Sequence, residues 1–398
     1  MKYALLIGAG LGDHPLAELG GHTPLEAAST PTLDALAAGG YLGLARTIPD
    51  SLEPGSDLAA MSLMGYDPVK YPTGRGALEA AAMGVNLGSE DSAFRMNLVT
   101  LAFEEGRMMM RDHSGGNITS ADAKVLIEYL ARELPLTRGQ RLYPGVGYRH
   151  LLVWTGHYDD LPTIPPHDWR DQEVTDYLTA YKPGMKPIQD LIQASWPLLA
   201  DHPYNREQIA KGKRPANSIW PWGQGRPSTM PTYQERWGLS GAVISAVDMI
   251  KGLGMSVGLK PIFVHGATGL VDTNYEGKVA AALQAIKTGD VVMVHFKAPD
   301  EASHQGDIAI KVETIERFDQ RIVKPIWEAL ETMGDYRLLI ACDHYTPISL
   351  KTHSREPIPF IIYPGSHRTG RTYSEKQAAD AGLYFPQGHL LADLFFGN

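Results

Sequence analysis

The sequence predicts an α/β protein of two domains, a mostly parallel sheet covered by helices with a second domain inserted into it. Three observations carry this. Toward both ends of the chain, short apolar or β-branched runs alternate with helix-like segments, the pattern of strand–helix–strand units. Between about Asp91 and Trp237 the pattern gives way to strand-like runs joined by Pro-rich connections. With 398 residues and 43% hydrophobic content, the chain is long enough to bury a large core in about two domains.

The elements follow in order. YALLIG (3–8) reads as a buried strand running into Gly8-Ala9-Gly10, and such a strand end is where an open α/β sheet places its chemistry. EPGSDLAAMSLMGYDP opens a helix at Ser56 after a Pro-Gly turn. The inserted section carries strands FRMNLVTLAF and RHLLVWTG, a helix near 121–133, and the connections PTIPPHD and GKRPANSIWPWGQGRP. The remainder predicts helices ISAVDMIKGLG (244–254), KVAAALQAIKTG (278–289, with a glycine stop) and 307–330. Its strands are DVVMVHFKAP (290–299), YRLLIACDH (336–344) and IPFIIY (358–363). The expected domains are 1–90 with 238–398, and 91–237 between them.

Composition narrows the function. The net charge of -9, with no block of Lys and Arg to offset it, excludes a nucleic-acid-binding surface, so an anionic ligand must meet a local cluster of positive charge. One cysteine, Cys342, excludes an intramolecular disulfide and fits a reducing compartment; the expectation is cytoplasmic. MKYALLIGAGLG continues through Asp13 and His14 without a small-residue cleavage site, which favours a strand over a signal peptide. No stretch approaches the roughly 20 apolar residues of a membrane helix. Nothing in the sequence sets the oligomeric state.

Two strand ends and the loop that follows them carry metal-binding residue types. DVVMVHFKAP runs into Asp300 and His304, four residues apart and on one face of a helical turn; YRLLIAC runs into Asp343-His344; His353 follows in the next loop. Two Asp and three His make five N/O donors suited to divalent Zn or Mn. Ser56 would sit at a helix N-terminus, where N–H groups and the macrodipole favour a phosphate. Each signal alone also has a plainer reading, as a surface pair or an N-cap. No G-x-x-x-x-G-K-[ST], G-x-S-x-G or G-x-G-x-x-G segment is present, which argues against a P-loop, a nucleophile-elbow hydrolase and a dinucleotide enzyme.

Six blocks, GHTPLEAASTPTLDALAAGG, EPGSDLAAMSLMGYDP, YPTGRGALEA, APDEASHQGD, ACDHYTPI and KTHSREPIPF, give the chain a resemblance over nearly its whole length. It resembles the cofactor-independent phosphoglycerate mutases of the archaeal-type branch of the alkaline phosphatase superfamily, which also holds bacterial proteins proposed as homoserine kinases. The resemblance implies an alkaline-phosphatase-like sheet with helices on both faces and an inserted α+β cap whose closure keeps water from a phosphorylated serine. It implies two divalent ions (Mn, Zn or Mg) and a small phosphorylated substrate, with 3-phosphoglycerate and 2-phosphoglycerate interconverted through Ser56. Asp300, His304 and His353 match the ligands of one ion; Asp343, His344 and Ser56 match those of the other. A homoserine kinase-like phosphotransferase and a catalytically silent binding protein are the alternatives.

The family's remaining ligand is the Asp of a DG pair ending the first strand, and here the pair reads Ala9-Gly10. The second ion is therefore expected to be held weakly. Ala9 has three readings: a substitution made to trap a bound state, natural divergence, or a site rescued by Asp13. Candidates for holding substrate are Arg75, Asp112, Arg149, His150 and His167, with Arg111, His113, Asp168 and the basic run 211–226 behind them. Asp112 matches the Asp of the family's cap block, whereas Asn117 stands where that block usually has arginine. Guanidinium groups are the expected grip on phosphate and carboxylate.

Overall fold

The computed structural model describes residues 1–365 and 369–397. The chain forms two compact units, Met1–Pro72 with Thr229–Asn398, and Thr73–Ser228. β1 (Lys2–Gly8) and β2 (Tyr41–Ala45) precede the smaller unit. That unit contributes β3 (Asp91–Glu104), β4 (Arg107–Asp112), β5 (Gln140–Tyr143), β6 (Arg149–Thr155) and β7 (Ser218–Gly225). The larger unit resumes with β8 (Gly241–Ile244), β9 (Lys260–Ile262), β10 (Val291–Phe296), β11 (Tyr336–Cys342), β12 (Ile358–Tyr363) and β13 (Tyr384–Phe385).

The sheet of the larger unit runs β13-β2-β12-β11-β1-β10-β8-β9. All its pairings are parallel except those of β12, which runs antiparallel to β11 and β2. Its central strands are near-continuous apolar runs because both faces are covered; every residue of β10 is buried. β1 sits between β10 and β11, with Ile7 opposite His295 on one side and Ala341 on the other. This register brings the C-terminal ends of the three strands side by side.

The smaller unit is an antiparallel sheet, β4-β3-β6-β5 with β7 also paired to β3. Helix Ser120–Glu133 buries Ala123, Leu126, Ile127 and Leu130 at helical spacing in the core that Phe94, Met96 and Trp220 also occupy. Thr119 caps it, accepting the Asp122 N–H.

Several expectations require correction. The unit boundaries fall earlier than 90/91 and 237/238. Helix Arg75–Ala82 lies so close on β3 that a Cβ on Gly76 would stand 2.1 Å from the Ala93 carbonyl oxygen. Residues 229–237 instead join the larger unit, where the Tyr233 hydroxyl donates to the Met64 carbonyl at 3.1 Å. The connection IWPWGQG is a strand despite Pro221, because β7 pairs with β3 alone among the described residues and an edge strand tolerates a missing N–H. Residues 298–299 belong to helix Ala298–Gln305 rather than to the strand before it. The single helix expected over 307–330 is Ile308–Phe318, a π turn at Asp319–Val323, and Lys324–Glu331. Pro325 cannot donate into a continuous ladder, and the wider turn absorbs the break. Among the described residues no helix is long and apolar enough to cross a membrane.

Candidate active site

The site is assembled where β1, β10 and β11 end. Ala9 follows β1 in full burial, its N–H donating to the Phe296 carbonyl at 2.8 Å. Gly10 takes a φ of 65°, and a Cβ there would stand 2.7 Å from Asp300 Cα and 2.8 Å from Thr346 Oγ1. Only glycine fits that approach. The Gly10 and His344 N–H groups both donate to Asp343 Oδ1, at 2.9 and 2.7 Å, which leaves Asp343 Oδ2 buried without a hydrogen-bond partner.

Helix Ala298–Gln305, started by Pro299, carries Asp300 and His304 on adjacent turns. His304 Nε2 lies 3.4 Å from Asp300 Oδ2 and 3.1 Å from His353 Nε2, and His353 Nε2 lies 3.3 Å from Asp300 Oδ1. Ligand atoms of Asp300, His344 and His353 all fall within 4.8 Å of one another. On the other side, His344 Nε2 is 3.3 Å from Asp343 Oδ2 and 2.9 Å from Ser56 Oγ. Ser56 is the first residue of helix Ser56–Leu63.

The ring orientations suit ligation. His304 Nδ1 lies 2.9 Å from the Lys351 carbonyl, and His344 Nδ1 lies 3.3 Å from that of Tyr345. A carbonyl only accepts, so each Nδ1 carries a proton and each Nε2 is the nitrogen turned into the site, the orientation usual for metal-bound histidine. The electrostatics agree. Burial alone would raise the Asp300 carboxyl, but hydrogen bonds with His304 and His353 and the nearby Lys297 charge hold it well below its ordinary range. Asp343 is likewise held down by His344 against the effect of burial, and burial keeps His344 below its ordinary value. The result is two carboxylates and the neutral His344 imidazole at one point, with His304 raised above its ordinary value by its hydrogen bond with Asp300, a donor set for a divalent N/O-ligated ion.

Sequence reasoning missed three residues here. Lys297 Nζ sits 2.7 Å from Asp300 Oδ2 and 2.8 Å from Glu301 Oε1. Thr346 Oγ1 donates to Asp300 Oδ1 at 2.6 Å. His295 is buried beside Asp343. Lys297 and Thr346 lie within three residues of predicted ligands, and that adjacency was the one available signal. Asp13 does not rescue the Ala9 position: its carboxylate is buried against Lys311 Nζ at 2.8 Å and accepts the Ile348 N–H. A cleft of about 690 Å³ beside His353 and Pro54 is edged by Arg46, Glu53 and Arg355.

The chain that carries these carboxylates, histidines and helix-opening serine has close relatives. The family model described as 2,3-bisphosphoglycerate-independent phosphoglycerate mutase matches residues 37–205. The 2,3-bisphosphoglycerate-independent phosphoglycerate mutase of Methanosarcina mazei is 50% identical over 365 residues, 91% of this chain and 90% of its own. The chain belongs to the 2,3-bisphosphoglycerate-independent phosphoglycerate mutase family. Two solved structures agree. A Pyrococcus horikoshii protein shares the fold at a TM-score of 0.80 and 29% identity, over 99% of this chain and 96% of its own. The cofactor-independent phosphoglycerate mutase of Thermoplasma acidophilum does so at 0.67 and 26%, over 99% of each chain.

The smaller unit of this mutase-family chain holds a cationic cluster of its own. Arg75 and His167 line a cleft of about 420 Å³ with Asp168, Trp222 and Gln224. The guanidinium groups of Arg75 and Arg95 lie 5.4 and 5.0 Å from the Trp222 ring, and His167 packs on it at 5.2 Å. Burial first, and then the Arg149 and Arg75 charges, pull the Arg95 guanidinium below its ordinary value despite Glu79 at 2.8 Å. Asp112 and His150 do not line this cleft. Asp112 accepts from the Ser114 N–H and hydroxyl at 2.7 and 2.5 Å. His150 is fully buried, accepts the Gly145 N–H at 3.1 Å, and is pushed by burial to about 3. Arg111 is spent on Glu104 and Asp171 at the surface. Arg95 and Trp222 carry no sequence signal, since Arg95 reads as one residue of an ordinary strand and Trp222 as one residue of a Pro-rich connection.

Proposed function

We propose that this chain interconverts 3-phosphoglycerate and 2-phosphoglycerate through a phosphorylated Ser56, using two divalent ions. The observation that carries this is the Ser56 hydroxyl, 2.9 Å from His344 Nε2 at the rim of the Asp and His cluster. Family membership supplies the substrate class.

Asp300, His304 and His353 would hold one ion, and Asp343, His344 and Ser56 the other. The unpartnered, fully buried Asp343 Oδ2 supports this, since a buried carboxylate oxygen calls for a cation or a donor. Such ions supply charge neutralisation at phosphoryl oxygens and lower the pKa of a bound hydroxyl. The residues do the rest. Ser56 Oγ bonds to phosphorus as the bond to the glycerate 3-oxygen breaks, and the serine proton goes to that departing oxygen. Glycerate then presents its 2-hydroxyl to the phosphoserine, and the same exchange runs in reverse. Arg75, Arg149 and His167, joined by Arg95, would grip the carboxylate or phosphate, for which paired guanidinium donors are suited. Ala9 leaves the second ion with one anionic protein ligand where the family has two, so it is the weaker of the pair.

An enolase-coupled assay with 3-phosphoglycerate and Mn²⁺, run on this chain, Ala9→Asp and Ser56→Ala, tests the reading. Activity in Ala9→Asp that exceeds that of this chain and vanishes in Ser56→Ala supports it; inactivity of both Ser56-bearing chains overturns it.

A further inference from the structure

We propose that His295 is a ligand of the second ion, supplying the donor that position 9 lacks. This rests on the two-ion reading above.

His295 interrupts an otherwise apolar strand, VVMVHF, and is 1% exposed. A buried imidazole needs partners for both ring nitrogens. Nδ1 has one: Ser245 Oγ lies 3.2 Å away and is itself fixed by the Val247 N–H at 3.0 Å. Nε2 has none, and neither does Asp343 Oδ2, 3.9 Å from it. These two bare atoms face each other beyond the roughly 3.2 Å reach of a hydrogen bond. Two donors on one tetrahedral zinc, each about 2.0–2.1 Å from it, lie roughly 3.4 Å apart. A closing of about half an ångström puts both on one ion.

The strand register supports the same placement. His295 stands opposite Ile7, and Ile7 opposite Ala341; Ala9 and Asp343 follow two residues further on. Among the described residues, the ion-pair partners of Asp343 are His295 and His344. Asp13 is committed to Lys311. Ser245 Oγ, as acceptor of an Nδ1–H, would fix the tautomer that turns the Nε2 lone pair toward Asp343.

Exchanging a carboxylate for an imidazole changes which ion fits. Nitrogen donors suit Zn²⁺ and Co²⁺, whereas Mg²⁺ prefers oxygen. The second site therefore selects against Mg²⁺ while the first, with the usual carboxylate and two imidazoles, is unchanged.

The test is equilibrium dialysis of the metal-free full chain against Co²⁺, with visible absorption and hyperfine-shifted NMR of the loaded protein. This chain is expected to bind two ions and to show imidazole N–H resonances from four residues, His295, His304, His344 and His353. His295→Gln should weaken the second ion by about 100-fold or more and leave the first, and Ala9→Asp added to His295→Gln should restore it. Resonances from three histidines, an unweakened second ion in His295→Gln, or a double variant that fails to recover it would each overturn the assignment of His295. If this chain itself binds fewer than two ions, the two-ion reading falls and His295 with it.

Discussion

Lys311 Nζ stands 2.8 Å from Asp13 Oδ2 with both side chains wholly excluded from solvent. The ammonium also donates to the Gly12 and Thr346 carbonyls at 3.3 and 3.1 Å, and the Asp13 carboxylate accepts the His14 and Ile348 N–H groups. One ion pair thus ties the loop after β1 to the loop after β11, the two segments that carry Ala9 and Asp343.

Lys311→Met leaves the Asp13 charge buried and alone. It is expected to cost about 3–5 kcal/mol, whereas Lys311→Met with Asp13→Asn should cost less, because no uncompensated charge remains. Urea unfolding of the three chains measures both differences, and equal losses in the single and double variants would refute the ion-pair account.

Glu375 is pushed from its ordinary value to about 7, chiefly by burial, while hydrogen bonds from the Thr23 hydroxyl and the Asp13 N–H oppose the shift. The folded chain therefore holds this proton more tightly than the unfolded chain, whose reference value is 4.5. Stability from this group is greatest below that value and is lost as pH rises through 7. The loss is bounded by about 3 kcal/mol across the window. Glu375→Gln should flatten the profile, melting at a higher temperature than the parent at pH 8 and near it at pH 5.

Lys297 places an ammonium on the Asp300 oxygen that a cation would need. Lys297→Met is expected to raise divalent-ion affinity at Asp300, His304 and His353 by about tenfold, the scale of one charge-assisted hydrogen bond. Calorimetric titration with Mn²⁺ checks it; unchanged or weaker binding would show that the lysine does not compete.

The strands that build the site were legible because burial on both faces writes them as long apolar runs; IPFIIY matches β12 to the residue. What escaped was short or interrupted. β2 contains Gly43, whose missing Cβ admits the Leu383 carbonyl, since a Cβ there would lie 2.4 Å from it. β8 gives no signal of its own because four residues carry too little periodicity to separate strand from helix, and the helix expected from Ile244 begins at Asp248. In the site, Asp300, Asp343, His344 and Ser56 were visible as polar residues breaking strand or turn patterns. His295 sits inside a strand and looks like core until the neighbouring strand places Asp343 Oδ2 across from it. Asp112, singled out by the family resemblance, and His150 also serve local turns, accepting the Ser114 and Gly145 N–H groups.

Pro221 bears on how copies of this chain behave in concentrated solution. A strand at the edge of a sheet can template another strand, which is the first step of edge-to-edge aggregation. β7 is such an edge, apolar through Ile219, Trp220 and Trp222. Proline in its middle removes one N–H from the row that a second chain would need, so the stretch of sequence richest in tryptophan carries its own block against self-assembly.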